Sequence, residues 1–353
     1  MSNQIRKIAV LTSGGDAPGM NACARAVART ALARGLEVIG FLGGYSGLLE
    51  NKVKKLGHND VSNIVNRGGT FLYSDRCLDF KTPEGMAKAV ACCKAHEIDG
   101  IVCIGGDGTL RGATDLSNHG IPTIGLTGSI DNDITASDYT IGFDTAMNTV
   151  CEMIDRLRDT CESHARCNVV EVMGRDCGEI ALRTGIACGA VAVAIPEVPF
   201  DEAAAIAKIK ALKAEGKRNF IVTVSEGLGT YGEDLAKKIQ AETEVETKFA
   251  RLAHVVRGGN PTLRDRLTAS EMGAKAVDLM LEGKTNLVVV ERNSELVACD
   301  INYSHIVDRM YKGKLKDGDL DPYSEEEIAS MKELCAYRKA EIERLYALVD
   351  DLA

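Results

Sequence analysis

KIAVLTSGGDAPGMNACARAVARTALAR, residues Lys7 to Arg34, is the stretch on which the fold turns. Lys7–Thr12 is an apolar run of strand length, and Asn21–Arg34 sets Ala24, Val27, Ala28 and Ala31 at helical spacing on one face. Between them, Thr12 to Asn21 forms a loop in which Gly14 and Gly15 let the backbone approach a ligand closely. The helix start that follows offers unpaired N–H groups, which suit a phosphate. Taken singly, this segment is equally compatible with a tight turn.

Working outward, the same unit recurs. Val38–Phe41, Gly100–Ile104, Thr123–Thr127, Cys167–Met173, Asn219–Ser225 and Leu287–Val290 read as buried strands, with helical patterns such as Thr145–Arg158 between them. Alternation of this kind predicts an α/β fold with largely parallel sheets covered by helices, in which ligands bind at the carboxyl ends of the strands. The last thirty residues differ. Ser324 and Glu327 form a capping box, after which Ile328, Cys335, Ile342 and Val349 recur every seven residues, with Met331, Leu345 and Leu352 interleaved and Arg338 interrupting the second stripe. That helix packs on its own domain or against another subunit.

Composition narrows the function. The 353 residues are 45% hydrophobic and 26% charged, without tryptophan, which is ordinary globular composition with room for about two domains. No apolar run approaches the ~20 residues of a membrane span, and MSNQIRKIAVL carries no signal-peptide pattern, so a cytoplasmic protein is expected. The twelve cysteines include no C-x-x-C pair, which points to buried thiols in a reducing compartment. A net charge of −9 argues against nucleic acid, although local arginines can still bind a small anion.

Three strand-end loops carry the chemistry. Besides Thr12–Asn21 there is IGGDGT, Ile104 to Thr109, where Asp107 stands among glycines and suits Mg²⁺ bridging phosphates. The third is TGSIDND, Thr127 to Asp133; on extended backbone Asp131 and Asp133 would point the same way and divide the work of proton acceptor and metal partner. Basic residues gather in later strands: Arg166, Arg175 after Met173-Gly174, and His254 and Arg257 before Gly258-Gly259, with Glu226 at a strand end. An arginine fork suits phosphate. GLGTYG, Gly227 to Gly232, also fits a dinucleotide fingerprint, but that reading leaves the three loops unexplained; GKT at Gly283–Thr285 lacks the first glycine of a P-loop.

Residues from about Ile5 to Ile306 resemble the bacterial-type 6-phosphofructokinase family through TSGGDAPGMN, NRGGTFLYSDR, IGGDGT, SIDNDI, DYTIGFDTA, DRLRDT, EVMGRDCG, VSEG and HVVRGG. The resemblance implies two Rossmann-like domains, the larger of residues 1–141 and 256–305, the smaller of 142–255 and 306–323, with a helix over 324–353. It implies phosphorylation of fructose 6-phosphate by Mg-ATP. Asp131 would take the proton from the sugar 1-hydroxyl near Ser129, Asp133 and Asp107 would serve Mg²⁺, and Arg175, Arg76 and the Gly15 N–H would hold the transferring group. Tyr45, Arg76, Cys77, Gly106, Asp107, Gly108, Thr109 and Gly112 would line the ATP site. Met173, Gly174, Glu226, Arg166, Lys248, His254 and Arg257 would bind the sugar phosphate, Arg166 reaching from a neighbouring subunit of a homodimer or homotetramer.

Departures from the family pattern are informative. Pyrophosphate-using members commonly carry Asp and Lys where this chain has Gly108 and Gly128, so the resemblance favours ATP, with pyrophosphate the alternative. Lys248 stands in place of an arginine, which opens sedoheptulose 7-phosphate as an acceptor. Arg25, Arg29, Arg158 and Lys217 fit the family's effector site, whereas His58, Val191, Glu215 and Asn219 do not, implying weak or absent control by effectors. A non-catalytic relative is the remaining rival, disfavoured by the joint presence of Asp107, Asp131, Asp133, Arg175 and Arg76.

Overall fold

The computed structural model describes residues 5–352. Among these, the contacts divide into two compact units, one of residues 5–130, 134–144 and 258–335, the other of 131–133, 145–257 and 336–352; residues 1–4 and Ala353 lie outside the described residues. The first unit holds strands β1 (Lys7–Thr12), β2 (Glu37–Phe41), β3 (Val53–Lys55), β4 (Gly100–Gly105), β5 (Thr123–Thr127), β10 (Leu287–Arg292) and β11 (Glu295–Asp300). The second holds β6 (Cys167–Val172), β7 (Ala192–Ala194), β8 (Phe220–Ser225) and β9 (Thr247–Arg251). Helices α1 (Met20–Ala33), α2 (Gly44–Leu49), α3 (Pro83–Ala95), α4 (Asp107–Asn118), α9 (Leu263–Leu281) and α10 (Ile301–Tyr311) accompany the first sheet. Helices α6 (Glu179–Ala187), α7 (Glu202–Ala214) and α8 (Tyr231–Thr243) accompany the second, and α5 (Phe143–His164) and α11 (Glu325–Leu352) contribute residues to both units.

The sheets run β11-β10-β5-β4-β1-β2-β3 and β7-β8-β6-β9. Pairing is parallel except at β2–β3 and β10–β11. The latter is a hairpin whose two-residue turn, Asn293-Ser294, takes φ of 51° and 64°, the left-handed geometry that matches the twist of antiparallel strands. Central strands such as β4 and β8 are buried along their whole length, as helices on both faces require.

All twelve cysteines are free thiols. Several are core residues: burial pushes Cys103 and Cys167 up to about 12, which leaves them neutral and packed as small hydrophobes. Among the described residues no helix is long and apolar enough to cross a membrane.

Two segments group differently from the sequence expectation: residues 131–133, expected in the larger domain, fall in the second unit. Residues 306–323 group with the first unit, because α10 is tied there by Asp308, whose Oδ1 accepts the Thr135 N–H at 2.6 Å. The capping box of α11 forms: Ser324 N–H donates to Glu327 at 2.8 Å, and Glu327 N–H donates to Ser324 Oγ at 3.2 Å.

Candidate active site

In the first sheet the chain leaves β1 toward β2 on one side, while β4 and β5 lie on the other. The gap between the carboxyl ends of β1 and β4 is therefore the switch point at which open α/β sheets receive ligands. The first two glycine loops and the start of the third, to Ile130, meet in this unit. Ser13 N–H donates to the Ile104 carbonyl at 3.1 Å and Gly128 N–H to the Gly105 carbonyl at 3.0 Å, while Thr109 Oγ1 donates to the Ser13 carbonyl at 2.9 Å. Gly105 must lack a side chain, since a Cβ there would lie 2.3 Å from Thr109 Oγ1 and 2.5 Å from the Ser13 carbonyl. Gly14, at φ 82°, turns the first loop, and Gly15 is exposed.

Asp107 opens α4, in the first turn, where the helix dipole favours a carboxylate. Its Oδ1 lies 3.0 Å from His305 Nδ1, and its Oδ2 lies 2.9 Å from the Arg111 guanidinium. Partial burial raises its pKa, but the His305 hydrogen bond and the Arg111 charge outweigh that and hold it at about 2. Asp107, His305 and Asp308 bring one donor atom each within 4.8 Å of one another, a set able to hold a cation. Sequence reasoning missed His305 and Asp308, although their i, i+3 spacing in SHIVD places them on one helical face.

The remaining nucleotide candidates divide. Arg76 and Gly108 are exposed, Cys77 and Gly106 half-buried, Thr109 and Gly112 buried. Tyr45 is committed inside the unit: only 4% exposed, it stacks on Phe80 at 4.1 Å and donates its hydroxyl to the Thr109 carbonyl at 2.6 Å. A Cβ on Gly112 would meet the Tyr45 ring at 2.6 Å, so Gly112 is glycine for that packing.

Ser129 is buried and its carbonyl accepts the Thr140 hydroxyl at 2.5 Å. The next residues are not extended as the sequence reading supposes. Asn132, fully buried, takes φ 52°, so a left-handed turn rather than strand alternation places Asp131 and Asp133. Asp131 is 3% exposed; burial and then the neighbouring Asp133 charge raise its pKa to about 6, against the pull of Arg257 and Arg175. Asp133 pairs with Arg175 at 3.5 Å.

Arg175 itself sits at φ 55° in the turn after β6, and Glu226 after β8 fixes that turn. Its Oε1 accepts the Gly174 N–H at 3.2 Å and the Arg175 N–H at 2.9 Å. Because β6, β8 and β9 are parallel, Met173, Gly174, Arg175, Glu226, His254 and Arg257 all follow strand ends at one edge of the second sheet. Arg166 and Lys248 lie at the opposite edge: Arg166 precedes β6, and Lys248 pairs with Asn168 near its start. A six-residue strand spans about 20 Å, so these two cations stand well apart from Arg175 within one chain. Both are bound to Glu246, Arg166 at 2.6 Å and Lys248 at 2.9 Å.

Glycine loops at a sheet's switch point, with convergent carboxylates and arginines at strand ends, define an α/β protein of the phosphate- and nucleotide-binding class. The phosphofructokinase family model matches residues 7–280. The chain is 50% identical over 311 residues to the ATP-dependent 6-phosphofructokinase 1 of Clostridium perfringens, covering 88% of this chain and 97% of that protein. It is 48% identical over 313 residues to the ATP-dependent 6-phosphofructokinase of Bacillus licheniformis, covering 87% and 98%. Among solved structures, phosphofructokinase from Saccharomyces cerevisiae superposes with a TM-score of 0.86 at 32% identity, over 98% of this chain and 50% of that one, so the chain spans about half the yeast subunit. The pyrophosphate-dependent phosphofructokinase of Marinobacter aquaeolei shares the fold, with a TM-score of 0.74 at 21% identity over 84% and 83%. The chain belongs to the phosphofructokinase family.

Proposed function

We propose that the chain is an ATP-dependent 6-phosphofructokinase of the cytoplasm, moving the γ-phosphoryl group of ATP to the 1-hydroxyl of fructose 6-phosphate. The observation that carries this is Asp131: buried, beside Asp133, and raised to about 6, it is a base matched to neutral pH. Asp131 accepts the hydroxyl proton as the sugar oxygen bonds to the γ-phosphorus and the bond from that phosphorus to the β–γ bridging oxygen breaks, releasing ADP; Arg175 balances charge on the transferring group, and the Glu226 carboxylate holds the Arg175 turn in place. The backbone N–H of Gly15 lies in an exposed loop suited to phosphate.

The donor set around Asp107 fits Mg²⁺, which takes one or two carboxylates and keeps its waters. Asp107 would hold the ion and His305 would orient Asp107. When bound, the ion supplies positive charge that offsets the phosphate oxygens.

Separation of Arg166 and Lys248 from Arg175 supports a site completed by a second copy of the chain, with those two cations binding the 6-phosphate of the neighbour's substrate. An Arg166→Ala protein and an Asp131→Asn protein, each weakly active alone, should recover about a quarter of wild-type activity when unfolded and reassembled together. No recovery in mixed oligomers would remove the cross-subunit assignment.

Two of the four cations at the effector positions, Arg158 and Arg29, are engaged from within. Arg158 donates to Asn219 at 2.8 Å and to the Cys188 carbonyl; Asn219 in turn donates to Glu162 at 2.5 Å. Arg29 donates to the His58 carbonyl at 3.1 Å and to Ser62 at 3.2 Å. Cations engaged in this way offer little to a nucleoside diphosphate, which supports weak or absent effector control.

Initial rates test the whole reading. ATP with fructose 6-phosphate should be the fastest of the four pairings of ATP or pyrophosphate with fructose 6-phosphate or sedoheptulose 7-phosphate, and added ADP should leave the shape of the sugar-phosphate curve unchanged. Faster turnover with pyrophosphate would reverse the donor assignment.

A further inference from the structure

The arginine that interrupts the apolar stripe of α11 is not on the surface. Arg338 has a side chain only 6% exposed and pairs with Glu179, 3% exposed, at 2.7 Å. Its Nη2 also donates to the backbone carbonyl of Asn132 at 3.2 Å. Glu179, the first residue of α6, is held from its other side by Arg183 at 2.8 Å, and Arg183 reaches Glu341 of α11 at 2.9 Å. All of these groups belong to the second unit. An arginine desolvated to this degree depends on fixed acceptors, and Nη2 has them in Glu179 and the Asn132 carbonyl. The second of these, the Asn132 carbonyl, lies in the turn between Asp131 and Asp133.

We propose that Arg338 is a positioning residue for the catalytic carboxylates: it pins the Asn132 carbonyl and so sets the direction of the Asp131 side chain. The proposal rests on the assignment of Asp131 as the base. Three facts support it. Asn132 takes φ 52°, a conformation uncommon for a residue with a side chain and sustained by its surroundings. Its carbonyl belongs to the single residue that separates the two aspartates. Arg338 also has a rigid, planar fork, so its grip on Glu179 fixes where its second N–H points. Residues of α11 thereby enter the chemistry without touching substrate.

A misdirected base slows proton transfer but leaves the sugar-phosphate and nucleotide contacts in place, so kcat should fall while KM holds. Arg338→Met alone strands the Glu179 charge and risks misfolding; Arg338→Met with Glu179→Gln removes the ion pair without leaving a buried charge. In the folded double variant, kcat should drop on the order of 10- to 100-fold, with KM for both substrates within about threefold of wild type. Arg338→Lys, which keeps the charge and loses the fork, should fall between. Glu341→Gln, which touches only the outer pair, should retain wild-type kcat.

Adding Arg338→Met and Glu179→Gln to Asp131→Asn should slow that variant no further, because there is then no base to aim. A folded double variant with wild-type kcat, or losses that multiply in the triple variant, would overturn the positioning role. If Asp131→Asn itself kept wild-type turnover, the base assignment would fail separately, whatever Arg338 did.

Discussion

Replacing Asp131 with Asn should lower kcat by about 10²–10⁴ and, at the same time, make the protein more stable above neutral pH. The activity loss follows from removing a buried proton acceptor whose pKa of about 6 leaves it ionised at pH 7 yet basic enough to take a hydroxyl proton as the bond forms. The stability gain follows from the same burial. Asp131 has a folded-state pKa above its ordinary value of 3.8, so the folded protein holds that proton more tightly than the unfolded chain does. Stability is therefore lost as pH rises from about 4 to about 6 and stays lower above that. A displacement of this size corresponds to on the order of 3 kcal/mol at pH 8.

Asparagine has nearly the same shape and no charge to desolvate. Thermal melts at pH 8 should show Asp131→Asn a few degrees above wild type, and melts at pH 3.5 should show the two together. In the wild-type enzyme, kcat/KM should climb through pH 6 as Asp131 ionises. Undiminished turnover in the variant would show that Asp131 is not the base, and a melting temperature below wild type at pH 8 would show that its carboxylate is not destabilising.

Coupled gain in stability and loss of activity is expected where a fold maintains an unfavourable group for chemistry. It also explains why the site was only partly legible in the sequence. The loops announced themselves because phosphate binding draws on local features: glycines, strand ends and helix starts within a dozen residues of one another. The positions of Asp131 and Asp133 did not, because their directions depend on a left-handed turn at Asn132 and on Arg338, two hundred residues away in sequence. Nothing local distinguishes that arginine from a surface cation in an amphipathic helix.

Strands divided along the same physical line. The interior strands β1, β2, β4, β5, β6, β8 and β10 were readable as apolar runs, because both faces are covered. The four that were not, β3, β7, β9 and β11, are the edges of the two sheets. Edge strands are short or polar, as TKFAR in β9 shows, since they need bury less and must resist further pairing. Tyr45 is a different case: the family resemblance marks it as a nucleotide contact, and in the structure its ring stacks on Phe80 and its hydroxyl donates to the Thr109 carbonyl.

The two donor-site glycines also differ in kind, and the second large prediction turns on that difference. A Cβ at Gly128 would lie 2.8 Å from Met20 Cε, the end of a flexible side chain that can move aside, and 3.5 Å from the Gly105 backbone, so a side chain there meets packing that Gly108 does not. A Cβ at Gly108 would meet nothing within 4 Å. Gly108 stands in the first turn of α4, where most residues are better helix formers and a carboxylate suits the dipole. The fold therefore does not need glycine there; the open space is available to a ligand.

Gly108→Asp should fold with an unchanged or higher melting temperature while kcat/KM for ATP falls on the order of 10²-fold or more, since the new carboxylate both fills that space and repels phosphate beside Asp107. Gly108→Ala, adding a methyl group without charge, should lose less than about tenfold. Pyrophosphate, which brings no nucleoside, should be affected less than ATP, so the ratio of the two rates should shift toward pyrophosphate. Gly128→Ala should behave in the opposite sense, with stability lowered by about 1 kcal/mol or less as Met20 shifts aside, and no change in the ratio of ATP to pyrophosphate rates. If a well-folded Gly108→Asp protein used ATP as fast as wild type, the space beside Asp107 would not be where the nucleotide lies, and the donor assignment would lose its structural support.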